Sequence, residues 1–172
     1  LHRNEAMTSI LKMLESENSF TKIVDDILKD ACEYLGISAG ALLRENQEQK
    51  TVDMICEYAG GGREPQMAKE QGVPKEELPF FNGKPYMISS DSMMPEGFAR
   101  LFAQKKLTAA VFLPVEVNGH VGMYLCFCES EKKKKWENAD VKFINDVKRI
   151  IQTILTKRIT KNSLASSYAS LE

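Results

Sequence analysis

The sequence predicts a mixed α/β (α+β) domain, a single sheet with helices packed on it. Three observations carry this. Apolar residues recur every three or four positions near both ends of the chain, and they recur every second position between them. The pair Asn118-Gly119 stands between two apolar runs, the strongest short-range hairpin signal. Both faces of that hairpin are apolar, so the sheet is covered on both sides.

The elements follow in order. Met7, Ile10, Leu11 and Leu14 form one stripe of a helix within Arg3 to Glu17. Ser19 can cap a second helix, whose face is Phe20, Val24, Ile27, Leu28, Ala31, Cys32 and Leu35, with Gly36 as its stop. AGALLRE and TVDMICEYA then read as two strands around the polar turn ENQEQK. A long irregular middle, Gly60 to Lys84, holds three consecutive glycines and three of the six prolines, with short helices expected near Gln66 to Gln71 and Lys75 to Phe80. Loops of that length are usually functional or mobile.

Tyr86 to Ser89 reads as a short strand, and Asp91 or Ser92 as the cap of a helix from Pro95 to Lys105 that buries Phe98, Leu101 and Phe102. A two-residue turn at Asn118-Gly119 pairs Val117 with His120, Val115 with Gly122, Leu113 with Tyr124 and Val111 with Cys126. In that register Val111, Leu113, Tyr124, Cys126 and Cys128 share one face, and Phe112, Met123, Leu125 and Phe127 the other. After the solvated EKKKK, a last helix starts near Glu137. Phe143, Val147, Ile150 and Ile154 form its stripe, widened by Ile144, Ile151 and Leu155. Beyond Ile159 the chain loses bulky apolar residues, as a linker or a continuing helix does. The expected organisation is a linker helix over 1–17, a domain over 18–158 and a connection to a further domain over 159–172. A start without Met and a polar, helix-compatible end suggest a fragment of a longer chain.

Composition removes several functions. The 23 basic and 24 acidic residues nearly cancel, so no net field favours nucleic acid or an anionic membrane, and neither is an expected partner. No stretch approaches the roughly 18 apolar residues of a membrane span. The four cysteines lie in apolar runs rather than in turn-rich segments, which favours a reducing, cytoplasmic compartment.

The element order resembles the GAF domain, a regulatory module of signalling proteins. FLPVEVNGHVGMYLCF is similar to that family's late hairpin, with Pro114, Gly119 and Gly122 at the matching points. KKKKWENADVKFINDVKRIIQTIL is similar to the segment after it, with Trp136 and Phe143 in place, and the likeness extends over roughly Ser19 to Leu155. The resemblance implies a central antiparallel sheet, terminal helices on one face, and variable loops and short helices on the other. It also implies a pocket between sheet and middle segment, for which Met54, Cys56, Phe80, Phe81, Tyr86, Phe98 and Phe102 are the candidates. Packing is the competing reading for each.

The family's cyclic-nucleotide signature, Asn-Lys-Phe-Asp-Glu, is incomplete: Asn82 and Lys84 stand here without the later members. Bilin-binding members use a Cys commonly followed by His, a dipeptide absent here. No cofactor is therefore named. Related proteins include free methionine sulfoxide reductases that use a few cysteines. Cys56 is the choice for such a thiol, although the reductase arrangement is not reproduced. Cys126-x-Cys128 lacks the further ligands of a metal site, and His2 and His120 have no triad partners. Neither catalytic residues nor a metal is expected.

The resulting expectation is a non-enzymatic sensor domain that binds a small molecule, dimerises, or does both, and controls an attached output domain. Met7, Ile10, Leu14, Ile144, Ile151 and Leu155 are the expected dimer residues. A ligand-free dimerisation module is the alternative, and a free methionine sulfoxide reductase-like enzyme a further one.

Overall fold

In the computed structural model, residues 5–8, 20–60 and 71–171 are described, with side chains as far as residue 158. Residues 5–8 are helical. Helix α1 (Phe20–Leu35) buries Ile23, Val24, Ile27, Leu28, Ala31, Cys32 and Leu35. It stops where the spacing predicts. Gly36 takes φ 66°, and the Ile37 N–H donates to the Cys32 carbonyl at 3.1 Å, the six-to-one bond of a Schellman end.

Strands β1 (Ala39–Asn46) and β2 (Thr51–Ala59) form the early hairpin, and β3 (Val73–Pro74) adds a two-residue edge before a 3-10 turn at Lys75–Glu77. Strand β4 (Tyr86–Ile88) is the other edge. Helix α2 (Phe98–Lys105), strands β5 (Ala109–Val117) and β6 (His120–Glu129), and helix α3 (Asn138–Leu171) complete the order. The sheet runs β3-β2-β1-β6-β5-β4, every pair antiparallel. Short edges of this kind offer little template for pairing with another chain.

Helices α1 and α3 cover one face. Phe143, Ile144, Val147, Ile151, Ile154 and Leu155 of α3 join the α1 stripe and Leu42, Val111, Leu113, Val115, Leu125 and Phe127 of the sheet in one core. Ile144 and Ile151 are fully buried there and Leu155 nearly so, which corrects their assignment to a dimer surface: the sheet already occupies them. Met7 is partly buried against the same core, while Ile10 and Leu14 lie outside the described residues.

The late hairpin has its expected turn, with Asn118 at φ 54° and Gly119 at φ 76°, and Val117 opposite His120. Its register then slips. Glu116 pairs with Val121 but Val115 with Met123, so Gly122 is the extra residue of a β-bulge. Leu113 therefore meets Leu125 rather than Tyr124, and Val111 meets Phe127 rather than Cys126. The two faces exchange partners: Met123, Leu125 and Phe127 join Val111 and Leu113 under the helices, and Phe112 joins Tyr124 and Cys126 opposite.

Helix α2 begins at Phe98, not Pro95. Gly97 sits at φ 88°, and the Phe98 N–H closes a separate turn onto the Pro95 carbonyl. Ser92 Oγ is spent on the Ser89 N–H. Helix α3 opens as a half capping box, Asp140 Oδ2 accepting from the Glu137 N–H at 3.0 Å. No helix among the described residues is long and apolar enough to cross a membrane.

Candidate functional site

The second face of the sheet carries a separate core, built by Ala41 and Leu43 of β1, Val52 of β2, Ile88 of β4, Ala110 and Phe112 of β5, and Tyr124 and Cys126 of β6. Two segments close over it. Residues 78–81 bring Leu78, Phe80 and Phe81, and α2 brings Phe98, Leu101 and Phe102.

Aromatic rings fill most of the space between. Phe80 stacks on Phe112 with centroids 4.1 Å apart and planes within 3°, and meets Tyr124 edge-on at 5.6 Å. Phe81 lies 4.7 Å from Tyr124, and Tyr86 4.7 Å from Phe98. Tyr124 Oη donates to the Lys84 carbonyl at 2.9 Å, which fastens the loop to the sheet, and burial pushes its phenol up from the ordinary value. Asn82 Nδ2 donates to Tyr86 Oη at 2.6 Å.

What is left is a cavity of about 80 Å³, lined by Ala41, Phe80, Leu101, Phe112, Cys126 and Cys128 among others. Ser38, Glu57, Lys105 and Ser130 supply its polar edge. A site for a drug-sized ligand needs ~300 Å³ or more, so this one admits only a small group as it stands.

Of the seven candidates, Phe80 lines the cavity. Phe81, Phe98 and Phe102 belong to the core around it, with Met54 and Tyr86 partly buried against that core. Cys56 does not join them and is corrected: it is buried on the helix-covered face, its thiol 3.8 Å from the Thr21 carbonyl. The cause is a second β-bulge. Leu42 pairs with Cys56 and Leu43 with Met54, leaving Ile55 as the extra residue and reversing the alternation of β2 after Met54. The cavity residues that sequence reasoning missed have a signal in hindsight. Ala39, Gly40 and Ala41 are a run of small residues, and small residues facing a Phe-rich segment leave volume.

The thiols are not poised for attack. Burial first, then the nearby Asp25 carboxylate, pushes Cys56 up to about 12, and burial with Glu57 and Glu129 pushes Cys128 to about 12 as well. Cys32 and Cys126 move in the same direction, mainly through burial. A nucleophilic cysteine needs the opposite shift. None of the four is bridged. Among the described residues no three His, Cys, Asp or Glu side chains converge as a metal's donors would.

No protein-family model and no curated protein sequence matches the chain. Solved structures do. The phycocyanobilin-bound GAF domain from a cyanobacterial phytochrome superposes with a TM-score of 0.75 at 11% identity, over 91% of this chain and 95% of that one. The GAF domain from Acinetobacter phosphoenolpyruvate-protein phosphotransferase gives 0.71 at 9% identity, over 94% and 97%. The A. aeolicus nlh2 GAF domain, in an inactive state, gives 0.65 at 16% identity, over 91% and 97%. These likenesses are of fold, and they agree with the element order and the antiparallel six-stranded sheet. The chain therefore has the fold of a GAF domain.

Proposed function

We propose that this is a regulatory, non-catalytic GAF domain that admits a small, largely apolar molecule between its sheet and α2 and passes the change to an attached output domain through α3. One observation carries the reading: the cavity on the open sheet face, apolar within and edged by Glu57 and Lys105. A tetrapyrrole such as the first neighbour holds is far larger than this space. The continuous helix from Asn138 to Leu171 is the natural route out of the domain. Pairing of two copies belongs to the same reading and falls to α3 beyond Leu155, because Ile144, Ile151 and Leu155 are taken up by the core. The unbridged thiols support a cytoplasmic setting.

A thermal-shift screen with small metabolites tests the ligand. A compound at ~100 times its dissociation constant raises stability by about 2.7 kcal/mol, and Ala41→Leu, which fills the cavity, abolishes that shift while the fold persists. A shift that survives Ala41→Leu places the ligand elsewhere and overturns the proposal.

A second reading, a ligand-free scaffold, is supported by the close Phe80–Phe112 stack. It expects no stabilising compound in the screen. Light scattering on a size-exclusion column tests pairing separately: a monomer at every concentration removes the dimer from either reading.

A further inference from the structure

An open groove lies where the C-terminal end of α2 meets the loop after β4 and the lysine run after β6. Met94, Phe102, Ala103 and Leu107 give it an apolar lining, and Lys106 and Lys133, both exposed, a charged edge. Its volume is about 550 Å³, the size of a ligand site and ample for a bulky side chain. No carboxylate lines it, whereas Glu57 edges the cavity on the open sheet face. Met94 is one of three large apolar side chains left exposed among the described residues.

The polar groups within the groove are already engaged. Ser90 donates its N–H to the Lys134 carbonyl at 2.8 Å and its Oγ–H to the Thr108 carbonyl at 3.0 Å. Thr108 donates its N–H to the Glu129 carbonyl at 2.8 Å and its hydroxyl to the Lys132 carbonyl at 2.6 Å. The Lys106 and Leu107 N–H groups close the end of α2 onto the Ala103 and Phe102 carbonyls. Lys134 is held by Asp140 at 3.3 Å and lies over the Trp136 ring. Lys106 and Lys133 form no ion pair with a described residue. What the groove can offer a partner is therefore its apolar lining and two ammonium groups.

That combination narrows the occupant. An added strand or a phosphate held by backbone amides needs open N–H donors, and those of Ser90, Lys106, Leu107 and Thr108 are committed. An anionic bilayer is disfavoured by the exposed Asp91 and Glu96 in the adjoining loop and by the net charge of −1. A protein segment with carboxylates beside a bulky apolar side chain meets both features at once, burial supplying affinity and the lysines selecting by charge. We infer that this groove docks an acidic, amphipathic peptide segment of a partner protein. Its apolar side chain lies against Phe102 and Leu107, and its carboxylates face Lys106 and Lys133. Leu107 lines the cavity on the open face as well, so a partner seated here touches the back of that cavity's wall.

The test is selection of random linear peptides displayed on phage against the full chain, followed by fluorescence anisotropy with the synthetic winners. The winners are expected to carry Asp or Glu beside Leu, Ile or Phe. Reversing both charges in the Lys106→Glu, Lys133→Glu double variant weakens them at least about tenfold, and Met94→Ser about fivefold. Replacing the acids of a winning peptide by lysine restores its binding to the double variant. All three side chains are exposed, and Trp136 emission checks the fold. Should the double variant not fold, the single variants Lys106→Gln and Lys133→Gln carry the charge test, each weakening binding about threefold. Winners without acidic residues, winners that bind the charge variants as well as the wild type, or no winners at all overturn the inference. So does equal binding of polyglutamate, which reduces the site to charge alone. Phosphatidylglycerol vesicles that displace the winners, and lose their own binding in the charge variants, make a membrane the occupant and overturn it too.

Discussion

Phe80 decides the character of the open face, because its ring lies parallel to Phe112 and against Tyr124 and so occupies most of the space a ligand would use. Truncating such a buried ring removes both transfer energy and contacts. Phe80→Ala is expected to lower stability by about 3–5 kcal/mol in urea unfolding and to enlarge the cavity. Cys56 offers a prediction in pH. Its thiol rises from 9.0 in the unfolded chain to about 12 in the folded one, so the folded state holds a proton that the unfolded state releases above 9.0. Its contribution is present in full below that point and is lost as pH climbs towards 12. The urea midpoint should therefore fall between ~pH 8 and ~pH 10.5, and Cys56→Ala should flatten that fall. The aromatic residues of this site were legible as a group, since six of the seven candidates sit on or against one core. Whether a ring lines a void or fills it depends on packing within fractions of an ångström, and no local pattern encodes that.

At the scale of elements, ends and turns carry the clearest signals because single residues dictate them. Gly36 terminates α1 in the left-handed region, where a side chain is strained whatever the space around it. Gly36→Ala is expected to cost about 1 kcal/mol, read from the denaturation midpoint, even though a Cβ there meets only the Lys132 ammonium. Asn118-Gly119 was equally plain. The bulges at Ile55 and Gly122 were not: the second shifted the expected pairings of the late hairpin, and the first turned Cys56 to the helix-covered face. In a sheet with one wet face, a slip of one residue places polar side chains in the core and so betrays itself. Here both faces are apolar, and alternation reads the same before and after the slip. The start of α2 was hidden for a related reason: Pro95 favours a first helical turn, but Gly97 two residues later supports a separate one.

For the whole molecule, the entry to α3 ties distant parts together. Trp136 donates its indole N–H to the Ile88 carbonyl at 3.0 Å and its backbone N–H to Ser89 Oγ at 3.0 Å, while the Ser90 N–H and the Lys134 carbonyl pair at 2.8 Å. The edge strand β4 is thereby fastened to the start of the long helix. Trp136 is the only tryptophan and is 7% exposed, so its emission reports the whole fold. Its red shift in urea should coincide with the loss of far-UV circular dichroism, and separate midpoints would mean that the two layers unfold independently. The sheet itself has a further effect. It divides the interior into two cores that share a wall, so damage on one side has no neighbour on the other through which to compound. Phe98→Leu on the open face and Ile151→Val under the helices, each costing about 1 kcal/mol, should add to within ~0.5 kcal/mol when combined. Substitutions on the two sides therefore subtract independently from one global stability, and a loss beside one face can be offset by a gain beside the other.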